Sequence, residues 1–267
     1  MAMESVNRFY QILKALIVIG LFSQFLGCAS NSPQTESSAK KTQKAGINKT
    51  TDSPKVLVST LQHIPKRTVD EKTGLLLPYQ SATNPYLQKS GQIEAPLVVE
   101  FIAARRAYQS SNYKKAKKTL EDLTSNDNSL SGPWVMLGDI ALNNKKAKQA
   151  MQNYQKAITI NKNNVNAYIR LAKVQRLQGD FIAAQNTYNQ ALSIWKDFPE
   201  AHLNLAILYD IYLNKQILSQ RHLEAYLFLV DGRDKKQVNW LTKLQQRTGK
   251  DIQLKVDIRK AVSNTSS

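Results

Sequence analysis

A single cysteine in 267 residues excludes any intrachain disulfide, so nothing covalent ties this chain to itself. Histidine is scarce too. His63, His202 and His222 lie far apart and show none of the short intervals by which zinc ligands recur, so no metal and no cofactor is expected. No phosphate-cradling glycine loop, GxSxG, HExxH or CxxC is present, and no pair of carboxylates stands in a catalytic setting. The expectation is a protein that is not an enzyme, with no catalytic residue and no small-molecule substrate. Acidic side chains are few: 20 Asp and Glu face 37 Lys and Arg, a net charge of +17. That balance suits nucleic acid, acidic proteins or phospholipid headgroups and does not choose among them. Long apolar runs are missing as well, since residues 15–26 (ALIVIGLFSQFL) fall short of the about 20 needed to cross a bilayer.

The flanks of that run give it another role. Arg8 and Lys14 precede it, Gly27 and Cys28 close it, and the composition then turns to Ser, Gln, Lys and Thr. Charge, apolar stretch and small residue in that order make an export signal over residues 1–27. The segment Phe25-Leu26-Gly27-Cys28 resembles a bacterial lipobox. The resemblance implies a diacylated (palmitate-bearing) Cys28 as the new N-terminus, and Ala29 behind it implies sorting to the outer membrane, with the body facing the periplasm. Cleaved secretion without lipid, or an uncleaved anchor, are the other readings of the same residues. Residues 28–54 carry almost no large apolar side chain and are expected to be a disordered tether. Residues 55–96 are richer (Val56, Leu57, Val58, Leu75, Leu76, Leu77, Tyr79, Tyr86) yet broken by proline, and are expected as an irregular segment packing on the first repeat unit, which begins at residue 97.

From residue 97 a period emerges. Trp134, Leu137 and Gly138, followed by Ala150, Tyr154 and Ala157, are spaced as in a tetratricopeptide repeat, and stepping by 34 residues gives units 97–130, 131–164, 165–198 and 199–232 with no insertion. The eighth position holds Ala104, Gly138, Ala172 and Ala206, the twentieth Ala116, Ala150 and Ala184, the twenty-seventh Leu123, Ala157, Ala191 and Ala225. In the last unit Leu218 takes the twentieth place, which leaves the angle of that unit's second helix open. The chain resembles the tetratricopeptide repeat (TPR) family, and the resemblance implies an all-α solenoid of four helical hairpins with a concave inner face. Asp234 is placed to cap a further helix over 233–248 that seals the open end before Gly249; residues 249–267 form a basic tail. In that tail Ile252, Leu254, Val256 and Ile258 alternate with polar residues, as a strand or as a self-packed end.

By the same resemblance, positions 2, 5, 9, 12 and 13 of each first helix line a groove for a protein or peptide partner. They assign Phe101, Arg105 and Tyr108 in the first unit, Val135, Asp139 and Leu142 in the second, Ile169, Lys173 and Arg176 in the third, and Leu203, Ile207 and Asp210 in the fourth. For Val135, Ile169 and Leu203, packing between neighbouring units is an equal alternative. The set of Lys and Asn with which some family members clamp a terminal carboxylate is absent, because Phe101, Arg105 and Met136 hold those places. The function expected is a non-catalytic interaction scaffold, lipid-anchored at Cys28, serving an envelope assembly or transport machine of pilus, secretion or TonB type. Two alternatives stand beside it: an enzyme or enzyme subunit acting on anionic cell-wall polymer, and a cytoplasmic nucleic-acid-binding protein. Export argues against nucleic acid as a partner.

Overall fold

The computed structural model describes residues 56–88 and 93–254. The signal, Cys28 and the tether lie outside the described residues, as do Val256 and Ile258. Among the described residues are nine α-helices and no strand: α1 Ala95–Gln109, α2 Tyr113–Asn126, α3 Ser131–Asn143, α4 Ala147–Ile160, α5 Val165–Leu177, α6 Phe181–Ile194, α7 Pro199–Ile207, α8 Gln216–Leu229 and α9 Lys235–Thr248. All belong to one compact unit spanning residues 50–267. Consecutive helices pair as antiparallel hairpins, and each pair packs on the next, so apolar faces that one pair cannot cover alone are covered by its neighbour.

Small residues set how closely the helices of a pair approach. Ala104, Ala116, Ala150, Ala172 and Ala184 are fully buried. Gly138 is tighter still, since a Cβ there would stand 2.3 Å from the Tyr154 ring. Around these contacts gather continuous clusters, with Leu120 and Ile140 in the first, Tyr154 and Leu171 in the second, and Tyr188, Leu192, Leu205 and Tyr209 in the third. Asn112 and Asp180 cap α2 and α6 through the amides of Lys115 and Ala183.

The turns within the pairs carry a residue in the left-handed region: Ser111 (φ 60°), Lys145 (φ 60°), Gly179 (φ 83°) and Asn214 (φ 50°). The first three follow the 34-residue step and the fourth falls one residue late. The expectation of four equal units without insertion is therefore corrected. The extra residue is absorbed where α7 widens into a π-helical turn, Leu208–Tyr212, with the Leu213 amide donating to the Leu208 carbonyl at 3.0 Å. The shift resolves the anomaly at Leu218: the small residue facing α7 is the next one, Ser219, fully buried and donating to the Ala206 carbonyl at 2.8 Å.

Two segments outside the pairs complete the unit. Residues 56–88 form a strap. Against the expectation that this segment packs on the first repeat, its first part is fastened to α6, α7 and α8. The Val58 amide donates to Gln185 Oε1 and Gln185 Nε2 donates to the Val58 carbonyl, at 3.2 and 2.8 Å. Thr60, buried, meets the Tyr209 hydroxyl at 3.0 Å and His222 Nε2 at 2.7 Å, and His222 in turn meets His202 through their Nδ1 atoms at 2.9 Å. Farther on, the Tyr79 hydroxyl and the Ala82 amide both donate to the buried Asp197 carboxylate at 2.6 Å, and Trp195 Nε1 donates to the Ala82 carbonyl. Polar pairing of this kind leaves no sequence period, which explains why the docking place was not foreseen. At the other end α9, capped by Asp234 and closed by Gly249 (φ 63°), packs Leu241 and Leu244 against Leu223 and Leu227. Behind it the chain folds back on α8: the amides of Gln253 and Leu254 donate to the buried Glu224 carboxylate, and Leu254 is buried. The start of the tail is self-packed, without a strand.

Candidate functional site

The first helices of the pairs, α1, α3 and α5, line a hollow of about 430 Å³. Phe101, Arg105 and Tyr108 come from α1 one turn apart, Val135 and Asp139 from α3, and Arg170 from α5, while Tyr86 of the strap closes one end. Five residues predicted for the groove thus share one cavity. Asp139 is its fixed point. Its carboxylate accepts from Arg170 Nε at 2.9 and 3.0 Å and from the Tyr154 hydroxyl at 2.8 Å, so it is held from both the neighbouring pair and its own. Burial, then the Asp139 charge, push the Tyr154 phenol well above its ordinary range; the same two causes raise Tyr108, whose hydroxyl accepts from Asn143 at 3.1 Å. Both phenols stay protonated and act as hydrogen-bonding groups. Arg105 is exposed and free to meet a ligand.

The other predicted residues divide. Leu142 and Ile169 are drawn into the clusters of the second and third pairs, and Val135, 6% exposed, serves both cluster and groove wall. Lys173 is exposed on α5. Arg176 lies 5.4 Å over the Tyr212 ring and donates to its hydroxyl at 3.3 Å. In the fourth pair the assignment to an open groove is corrected for Asp210, while Leu203 takes the packing alternative. Leu203 packs on the cluster formed with α9, and Asp210 accepts from Trp240 Nε1 at 3.0 Å and from Arg247 at 2.9 Å. The sealing helix occupies the place a fifth unit would take, so it consumes the face a ligand would otherwise meet; Ile207 between them is partly buried. Sequence reasoning missed Tyr86, Met136, Asn166 and Arg170. Arg170 follows a predicted position by one residue and was findable from its charge opposite Asp139; Tyr86 lies outside the repeat register and carried no signal.

Among the described residues no group of three or more His, Cys, Asp or Glu is placed to hold a metal ion, and no helix is long and apolar enough to cross a membrane.

A stack of helical hairpins with a lined concave face is the architecture of a repeat scaffold. Comparison with known proteins agrees. Residues 132–164 and 153–186 match two models described as tetratricopeptide repeat. Among solved structures, PilF of Pseudomonas aeruginosa is similar over 57% of this chain and 68% of its own, at 16% identity and a TM-score of 0.52. MamA of Desulfovibrio magneticus RS-1 is matched over 65% of this chain and 93% of its own, at 14% identity and a TM-score of 0.49. A thermophilic TPR protein of Thermus thermophilus is matched over 60% and 85%, at 16% identity and 0.49. No curated protein sequence matches the chain. Residues 132–186 thus match tetratricopeptide repeats, and the fold of the described residues is the helical-hairpin solenoid of that repeat type, an architecture suited to protein–protein interaction.

Proposed function

We propose that this protein is a non-catalytic scaffold that binds a segment of a partner protein in the hollow between α1, α3 and α5, and that it does so while tethered by a lipidated Cys28 to the outer membrane, facing the periplasm, in the service of an envelope assembly or transport machine. The groove carries the reading. Phe101, Tyr108, Val135 and Tyr86 supply apolar and aromatic wall, Arg105 is unengaged, and Asp139 with Arg170 is pinned in place before any ligand arrives. Such a surface suits an amphipathic helix or extended peptide with apolar anchors and a carboxylate opposite Arg105. The tether rests on the resemblance around Cys28. The carboxylate in the groove, the partly buried Asp139, is held by two donors, which suits a positioning role.

The test is crosslinked capture from membranes, comparing the native protein with an Arg105→Ala, Tyr108→Ala variant, both confirmed folded by their melts. The variant is expected to lose one partner by tenfold or more, in line with about 1.5–3 kcal/mol for a charge-assisted contact. Equal recovery of every partner overturns the groove assignment. Labelling with a palmitate analogue, with Cys28→Ala as control, tests the tether, and an unlabelled native protein removes it.

A further inference from the structure

A solenoid of hairpins has two long edges, one made of the turns inside pairs and one of the turns between them. The strap runs along the second, bonded at Ala82 to Trp195 and Asp197 and reaching Gly132 through Tyr86. Among the described residues no segment runs along the first edge. Its turns stand side by side, as the bonds from Asn143 to Tyr108 and from Arg176 to Tyr212 and the 4.8 Å contact of the Phe181 and Tyr212 rings show.

The side chains along this edge are unusual in two ways. At the first two pairs it is basic: Lys114, Lys115, Lys145, Lys146 and Lys148 are all exposed, and Glu121 farther along α2 is paired with Lys117 at 3.2 Å. At the last two pairs it is apolar, with Leu177, Ile211 and Ile217 exposed by 58, 65 and 53% and Tyr212 by 40%. The π-helical turn is what brings Ile211 and Tyr212 there, because the extra residue carries the end of α7 one place outward. Beside Ile217 lies an open depression of about 490 Å³, rimmed by Lys215 and Arg247. Asp180, exposed at the third turn and capping α6, is the acidic residue in the row.

Scattered aliphatics and a tyrosine beside exposed lysines, spread along a line, are what an interface of lipid headgroups accepts. A folded acidic partner would call for enclosed pockets around the aliphatic anchors, whereas the depression beside Ile217 is open and rimmed by Lys215 and Arg247. We propose that this turn edge rests on an anionic lipid surface, with the lysines of the first two pairs against headgroup phosphates and Ile211, Tyr212 and Ile217 in the interfacial layer. The assignment is independent of Cys28 and of the groove, which opens on the concave face.

Vesicle co-sedimentation tests it with the chain from Ala29 onward, which keeps the whole compact unit and lacks the apolar leader and the lipidated cysteine. Phosphatidylglycerol vesicles should bind it and phosphatidylcholine vesicles should not. Binding should fall at least tenfold between about 50 and 300 mM salt. A Lys114→Gln, Lys145→Gln, Lys148→Gln variant should bind on the order of 100-fold more weakly, at about 1 kcal/mol for each basic residue, and Ile211→Ser with Ile217→Ser on the order of tenfold more weakly. All five positions are exposed, so native melts are expected. An Arg105→Ala variant should bind vesicles as the native chain does, which separates this edge from the groove. Absence of binding to phosphatidylglycerol, equal binding to both vesicles, or binding unchanged in both edge variants overturns the proposal. So does displacement from vesicles by polyglutamate at low concentration, which would assign the edge to an acidic protein.

Discussion

Two imidazoles sealed beneath a strap cannot be charged cheaply. His202 and His222 are fully buried, touch through Nδ1, and are closed off by the Lys196 carbonyl on one side and Thr60 and Tyr209 on the other. Burial pushes His202 down to about 4; the Lys196 carbonyl and Asp197 pull it up, and His63 pushes it down. Burial, then the charges of His202 and His63, hold His222 well below its ordinary value. In the unfolded chain both titrate near 6.5, so the folded state favours the neutral form. Its stabilisation is complete above pH 6.5 and is lost as pH falls from there through about 4. For His202 alone the gap is worth roughly 3 kcal/mol. Thermal melts from pH 7.5 to 4.5 should show a steep loss, shallower in His222→Gln; a melting temperature flat across that range would remove the account. Gly138 makes a second argument at this scale. The Tyr154 ring it touches cannot retreat, because Asp139 holds its hydroxyl, whereas the corresponding Tyr188 faces Ala172 in a unit with Lys173 in place of the aspartate. Gly138→Ala should therefore cost about 1–3 kcal/mol in urea denaturation and disturb the groove with it.

Between residue and whole, the elements show what a period can and cannot reveal. Helix positions were legible because buried alanines and tyrosines recur every 34 residues, and the capping helix because Asp234 and Gly249 carry its ends. The single inserted residue was not. Leu218, Ser219 and Gln220 offer no sign of which faces α7, and only the late left-handed turn at Asn214 fixes the register. The groove was legible in the first two pairs, where the repeat register governs side-chain direction, and not in the fourth, where α9 claims Leu203 and Asp210. Those turns also make a prediction. Lys145 pays for a left-handed conformation that glycine adopts freely, as Gly179 does one repeat later, and its side chain is exposed. Lys145→Gly should raise stability by up to about 1 kcal/mol, the left-handed cost less the glycine entropy. A destabilised Lys145→Gly would show that the lysine side chain matters to the fold.

Hairpin stacks ordinarily hold together through nearest neighbours, so one end opens without consulting the other. The strap changes that here. It joins partners 113 to 162 residues apart in sequence, from Thr60 on His222 to Ala82 on Trp195, and then delivers Tyr86 to the groove of the first two pairs. Tyr79 is the central tie: its ring meets Phe228 edge-on at 5.0 Å while its hydroxyl donates to Asp197, 3% exposed. Tyr79→Phe keeps the ring contact and leaves a buried carboxylate one donor short, at about 1–3 kcal/mol. If the strap couples the pairs, hydrogen exchange in that variant should quicken in α6, α7 and α8 and also around Phe101 and Gly132, where Tyr86 seats, while α2 and α4 keep native protection. Faster exchange confined to residues flanking Asp197 would mean that the strap lies on the solenoid without linking its parts, and that the groove keeps its shape without it.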